Sequence, residues 1–347
     1  MTNHLPSTAA GESLLSNGVV PVKESRISQG NWLAQTPRSN ATTFAKTPTP
    51  SPPPARGQEC QELHEEHSHP PLSAVTAKLH RQVTSFLSER HDSSSILYKV
   101  QNQTRTSLNV IQEALQRFSL HELSLSYNGG KDCLVMLILF LASLHPLPTT
   151  ETVLKDGERT PSPTTIPAIY AQPHHPFRSV EDFVASSSHA YHLSLVRYTT
   201  NPPRSTLRTA FASYLSLHPQ IRAIFVGTRR TDPHGGKLTH FDRTDHGWPD
   251  FVRIHPVIDW HYAEIWAFIR HLGIEYCPLY DEGYTSLGGT NDTHPNPMLK
   301  VVGQQNSNNA QIPSSHSSSY TADGGNSSYR PAYELMDDDE ERLGRDW

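Results

Sequence analysis

The chain has 347 residues, with 29 lysines and arginines against 34 aspartates and glutamates and a formal net charge of −5; with no basic block in it, a nucleic-acid partner has little support. No apolar run reaches the roughly 18–20 residues that span a membrane, because the longest, Leu134 to Leu144, stops at His145 and Pro146. The three cysteines, Cys60, Cys133 and Cys277, are far apart and odd in number, which argues against a disulfide framework or a zinc ribbon and suits a reducing cytoplasm.

Residues 1–70 are rich in Ser, Thr, Asn and Pro, culminating in the run from Lys46 to Pro54, and read as a disordered tail. This stretch lacks the apolar core of a secretory signal and the arginines of a transit peptide. His64, His67 and His69 have ligand-like spacing, but in a polar, proline-flanked segment they imply adventitious metal affinity or nothing. From about Pro71 the pattern becomes helical, with Leu72, Val75, Leu79, Val83 and Phe86 on one stripe and Leu108, Ile111, Leu115 and Phe118 on another. Leu123 to Tyr127 reads as a strand and Leu134 to Leu144 as a buried helix; the polar stretch from Pro146 to Pro163 reads as an insertion loop. Further strands are expected at Thr165–Ala171, His192–Tyr198 and Ile221–Val226, with helices at about Val180–His189 and Ser205–Leu217 between them. This alternation predicts an α/β fold, a parallel sheet with helices on both faces, over residues 71–303. A helix from Tyr262 to Leu272 follows, then low complexity at 304–328 and a last segment, 329–347.

Parallel sheets bind ligands at the carboxyl ends of their strands, and the unusual polar motifs fall there. Ser126-Tyr127-Asn128-Gly129-Gly130-Lys131-Asp132-Cys133 follows the first strand. Adjacent glycines permit positive φ and a close ligand, and N–H groups at a helix start face an anion; Ser126 and Asn128 add neutral hydrogen bonds and Lys131 a point charge. A tight βα turn with an incidental lysine is the other reading. Gly227-Thr228-Arg229-Arg230-Thr231-Asp232-Pro233 leaves the fourth strand, and guanidinium forks suit phosphate oxygens; alternatively Arg229 or Arg230 pairs with Asp232. Trp248, braced by Pro249, can wall a flat pocket, or it and Trp260 are packing residues. Tyr276 to Gly288 has the composition of a structured cap. Arg342 and Arg345, three residues apart, share one face of a turn, where they either serve a site or pair with the acidic run before them.

The glycine loop resembles the Ser-Gly-Gly-x-Asp-Ser loop of the ATP pyrophosphatase and PAPS reductase group, which splits ATP between its α and β phosphates. With Asn128 and Cys133 in place of the serines, the variant is similar to that of the eukaryotic FMN adenylyltransferase (FAD synthase) family. Further motifs in the same order support the resemblance over residues 80–347: 226–233, Thr244 to Pro249, Arg253 to Trp260, Tyr276 to Gly288, Asn296-Pro297 and Glu341 to Arg345. The resemblance implies an adenine nucleotide alpha-hydrolase-like fold and transfer of AMP from ATP to FMN, with magnesium, in a cytoplasmic monomer. It implies catalytic roles for Asn128, Asp132, Asp232, Arg342 and Arg345. ATP phosphates would meet Ser126, Gly129, Gly130, Lys131, Arg229 and Arg230, and adenosine would meet Phe177, although Arg178-Ser179 departs here from the family's Pro-Glu. Flavin would meet Asp245, Trp248, Pro249, Asp250, Arg253 and Trp260, and Asp132 or Asp232 would hold the metal. The alternatives are a PAPS reductase-like or sulfate adenylyltransferase-like enzyme, disfavoured by the missing Glu-Cys-Gly-Leu-His type tail, and a nucleotide-binding regulatory protein without catalysis.

Overall fold

A computed structural model describes residues 70–147, 152–153, 159–160, 163–245, 247–301 and 328–346. The tail and low-complexity segment expected at 1–70 and 304–328 fall almost wholly outside these residues. Helix α1 (Leu72–Ser88) buries the expected stripe, Leu72, Val75, Leu79, Val83 and Phe86. Helix α2 (Ile96–Arg117) starts where the Ser95 side chain accepts the Tyr98 N–H, 3.2 Å away, and it buries Val100, Val110, Ile111 and Ala114.

The main sheet is built from β1 (Leu123–Ser126), β4 (Ile166–Gln172), β5 (Leu193–Thr199), β6 (Ala223–Phe225), β7 (Phe241–Arg243) and β8 (Val252–Ile254). Their spatial order is β5-β4-β1-β6-β8-β7. All neighbours are parallel except β7, which pairs antiparallel to β8. The sequence pattern showed four of these strands; β7 and β8 were missed because, unlike the equally short β6 within its apolar run, they carry the charged residues Asp242, Arg243 and Arg253. Strands β2 (Thr152–Val153) and β3 (Arg159–Thr160) form a separate antiparallel pair inside the stretch expected as a loop.

The remaining helices are α3 (Lys131–Ser143), α4 (Arg178–Ala190), α5 (Leu207–Leu217) and α6 (Tyr262–His271). Helix α3 is apolar all round, with every residue from Leu134 to Ala142 buried, as befits a helix enclosed by other elements; it packs against α1, α2 and α6. The other face of the sheet is covered by α5, whose Phe211 and Tyr214 meet Ile169 of β4 and Ile224 of β6, while Ala168, Tyr170, Ala223 and Phe225 point into the larger core. That alternation is the two-residue pleat of a strand buried on both faces.

The chain runs from β1 outward through β4 to β5, then returns through α5 to β6 on the opposite side of β1. Between β1 and β6 the winding direction reverses, and the loops after their carboxyl ends diverge into a crevice.

Candidate active site

The glycine loop and the loop after β6 line that crevice. Gly129 has φ of +75°, and a Cβ on it would lie 2.8 Å from Val184 Cγ2, so both conformation and space demand glycine there. The Asn128 side chain folds over the turn and accepts the Gly130 N–H at 2.9 Å, and the Lys131 N–H donates to the Tyr280 hydroxyl, also at 2.9 Å. Two donors expected to face an anion are therefore already used inside the protein. Burial pushes the Cys133 thiol up to about 12, which disfavours its thiolate.

A cavity of about 290 Å³ lies here, lined by Ser126, Asn128, Gly130, Lys131, Asp132 and Cys133 from the first loop and Gly227, Thr228 and Asp232 from the second. Leu207 at the start of α5, Tyr280 and Leu287 of the cap, and Glu341, Arg342 and Arg345 close it. The last segment is anchored beside the cap: Thr285 Oγ1 donates to the Glu341 carbonyl at 2.5 Å, and Asn296 Nδ2 donates to the Glu340 carbonyl at 2.8 Å. Arg345 Nη1 donates to the Leu287 carbonyl at 3.2 Å, and Arg345 Nη2 lies 3.4 Å from Asp292 Oδ1. Its guanidinium passes so close to Gly288 that a Cβ there would fall 2.5 Å from Cζ.

Beneath the cavity is a buried ion cluster. Lys131, 1% exposed, pairs with Asp132 at 3.0 Å and with Glu341. Arg229, fully buried, lies with Nε 2.8 Å from Asp132 Oδ1, Nη1 3.2 Å from Asp338 Oδ1, and Nη2 against Glu341 Oε2. Asp338 also accepts the Tyr262 N–H at 2.6 Å, tying the start of α6 to the cluster. Burial alone would lower the Lys131 pKa, but Asp132 and Glu341 hold it above the ordinary lysine value. Burial would likewise raise Asp132, which Arg229 and Lys131 instead hold below 3.8. A depressed carboxylate contributes its stability in full above its unfolded value and loses it as pH falls through the folded one. Thermal melting followed down the acid range should therefore show stability falling below pH 3.8, with Asp132→Asn flattening that acid limb; an unchanged limb would remove Asp132 as its source.

The expected site residues divide accordingly. Ser126, Asn128, Gly130, Lys131, Asp132, Asp232, Arg342 and Arg345 are brought together on one cavity, with Gly129 shaping the turn. The phosphate role expected of Arg229 is not what the structure shows: it is buried among carboxylates, and its own N–H donates to Asp232 Oδ2 at 2.8 Å. Arg230 lies off the cavity, paired with Asp259 at 2.6 Å and donating to the Leu238 carbonyl at 2.9 Å. Phe177 packs edge-on against Tyr284 of the cap, 5.3 Å between centroids.

Of the expected flavin residues, Trp260 is corrected to a core residue, 1% exposed, its indole N–H donating to Ser107 Oγ at 2.9 Å. Asp250 is taken up by Arg243 at 2.7 Å and lies in a second cavity with Pro219 and Arg222, next to the amino ends of β6 and β8 rather than their carboxyl ends. Arg253 donates to the Arg243 carbonyl at 3.3 Å. Trp248, with Asp245 and Pro249 around its turn, packs edge-on against Phe211 of α5 at 6.0 Å. Leu207, one helical turn before Phe211, lines the main cavity. Glu341 and Asp338 are the residues that sequence reasoning missed. The available signal was Arg229 itself, a cation leaving a buried strand that must find buried anions.

A family profile described as the phosphoadenosine phosphosulfate reductase domain matches residues 122–295. The probable FAD synthase of Schizosaccharomyces pombe is 36% identical over 252 residues, covering 73% of this chain and 82% of that one. The flavin adenine dinucleotide synthase of Saccharomyces cerevisiae is 31% identical over 297 residues, covering 78% and 97%. Among solved structures, Candida glabrata FMN adenylyltransferase in complex with FAD and inorganic pyrophosphate is similar, with a TM-score of 0.67, 30% identity, and coverage of 80% of this chain and 98% of that one.

Proposed function

Because the chain belongs to the FAD synthase family, which joins AMP from ATP to FMN and releases pyrophosphate, we propose that this transfer takes place in the cavity between the glycine loop and residues 341–345. ATP and FMN are the substrates. The observation that carries the reading is the return of Arg342 and Arg345 to a cavity whose floor is the loop after β1.

An oxygen of the FMN phosphate attacks the α-phosphorus of ATP, the bond from that phosphorus to the bridging oxygen breaks, and pyrophosphate departs with the bonding electrons. The nucleophile is already an anion, so no general base is required; the barrier is the approach of two anions, and positioning with electrostatics supplies the catalysis. Arg342 and Arg345 are placed to stabilise charge developing on the phosphates. Lys131, on the cavity floor, and Arg229, one layer below it, fix Asp132 and the last segment. The Asn128 amide, its oxygen held by Gly130, keeps its nitrogen for a phosphate, and Ser126 lines the same wall.

Among the charged groups on the cavity wall, Lys131, Arg342 and Arg345 are matched by Asp132, Asp232 and Glu341, so the protein alone offers two polyanionic substrates no excess positive charge. That balance fits magnesium, which binds through one or two carboxylates together with substrate phosphates. Asp232 suits it, because its Oδ1 has only looser neighbours, Arg342 at 3.7 Å and Arg229 at 4.0 Å. Asp132 does not, since both its oxygens face cations. When bound, the ion would supply charge neutralisation on the phosphates.

The isoalloxazine is placed toward Trp248, 36% exposed, on the α5 face it shares with Leu207, 48% exposed, with Asp245, Pro249 and Arg253 at its side. Trp248→Ala should raise the KM for FMN about tenfold, since an aromatic contact is worth about 0.5–1.5 kcal/mol beyond its area, and leave that for ATP unchanged; an equal rise in both would place the flavin elsewhere.

A reductase chemistry finds no support, because it needs a reactive thiol. Among the described residues, the Cys133 and Cys277 thiols are pushed up by burial, to about 12 and about 11, which disfavours the thiolate of each. No helix among the described residues is long and apolar enough to cross a membrane, and we take the enzyme to be a cytoplasmic monomer; light scattering at twice the chain mass would contradict the monomer. The function itself is tested by incubating purified protein with ATP, magnesium and FMN, with PAPS and a thiol in parallel. FAD and pyrophosphate in equal amounts are expected; PAPS reduction without FAD would overturn the reading.

A further inference from the structure

We propose that Glu89, His91 and His271 form a binding site for a divalent transition-metal ion, separate from the catalytic cavity, which none of them lines. Glu89 is the C-cap of α1 and His271 the last residue of α6, so two helices end at this point, and His91 follows the first of them. Glu89 Oε2 lies 2.9 Å from His91 Nε2 and 2.8 Å from His271 Nε2, and the three ligand atoms all fall within 4.8 Å of one another.

Metal–ligand bonds of about 2.0–2.2 Å in a tetrahedral site place ligand atoms about 3.3–3.6 Å apart, so the two Glu89–histidine separations need widen only modestly to enclose an ion. The side chains are held for it. The Phe86 ring packs against His271 at 5.1 Å and His91 at 6.3 Å, and the two imidazoles stand edge to face at 5.9 Å. Gln101 Nε2 donates to the carbonyls of Phe86 at 2.7 Å and Glu89 at 3.0 Å, fixing the backbone where α1 ends. A cation is also favoured by the negative ends of two helix dipoles. Two imidazoles and one carboxylate suit zinc, nickel or copper rather than magnesium or calcium. The partial exposure of all three side chains leaves a fourth position for water. The site would staple the start of the folded region to α6, whose other end is tied to Asp338.

Zinc is the probe, and the full chain is used with His64, His67 and His69 replaced by alanine in every sample, so that the tail histidines cannot bind it. Calorimetry should show one equivalent bound, with a rise in melting temperature. Glu89→Gln and His271→Ala should each weaken binding about a hundredfold or more, since outer-shell partners alone are worth about 10–100-fold, while FAD formation without zinc is unchanged. The shape-conserving Glu89→Gln decides the matter if His271→Ala folds poorly. No saturable binding in the parent, or unchanged affinity in Glu89→Gln, would reduce the trio to a hydrogen-bonded staple and overturn the proposal.

Discussion

Glu341→Gln is expected to destabilise the protein by about 3–5 kcal/mol, the usual cost of removing one partner from a buried ion pair. Glu341 is 4% exposed and touches both Lys131 and Arg229, which are themselves 1% and 0% exposed. Without its charge, the two buried cations are left with Asp132, Asp338 and the more distant Asp232. At about 2–4 °C per kcal/mol for a fold of this size, the melting temperature should fall by roughly 6–20 °C. Activity should fall as well, because the residue next in sequence is Arg342 and the Glu341 carbonyl is the acceptor for Thr285. A variant that melts within about 1 °C of the parent, well inside that range, would show that the cluster contributes nothing net and that the last segment is held by its backbone contacts alone.

The second large effect is on turnover. Arg345→Ala should lower kcat about 10²–10³-fold, the range measured when one preorganised donor to a developing charge is removed, while FMN affinity changes far less. Arg345 is suited to that part because its own position is fixed before substrate arrives, by Asp292, by the Leu287 carbonyl and by its approach to Gly288. Its guanidinium therefore pays little reorganisation during the reaction. A merely structural arginine would affect binding and turnover together. Unchanged kcat would remove Arg345 from the chemistry.

The sequence made the scaffold legible where periodicity is long. The stripe of α1, the strands around the glycine loop and the apolar run of α3 were visible, whereas of the stripe expected on α2 only Ile111 is fully buried, Leu108, Leu115 and Phe118 being partly so. Strands β7 and β8, which carry Asp242, Arg243 and Arg253 in place of an apolar run, were not visible. For the site, which residues gather at one cavity was more legible than what they pair with. Lys131 and Arg229 looked like phosphate ligands because they flank a glycine loop and leave a strand. Nothing local shows that, besides Asp132, the acids neutralising them arrive from residues 338 and 341, more than a hundred positions later. The same distance hid Glu341, whose acidic neighbours made it resemble part of a solvated run. Trp260 and Trp248 are alike in sequence, each an aromatic near a proline, and only packing separates the one bonded to Ser107 from the one exposed beside α5.

The most direct test is a crystal structure of the full chain with FMN and a non-hydrolysable ATP analogue. The α-phosphate should lie between the loop at 128–131 and the guanidinium groups of Arg342 and Arg345, with the FMN phosphate in contact with it and the flavin directed toward Trp248. Phosphates bound outside this cavity, or a last segment displaced from it with both substrates in place, would contradict the assignment of adenylyl transfer to this site.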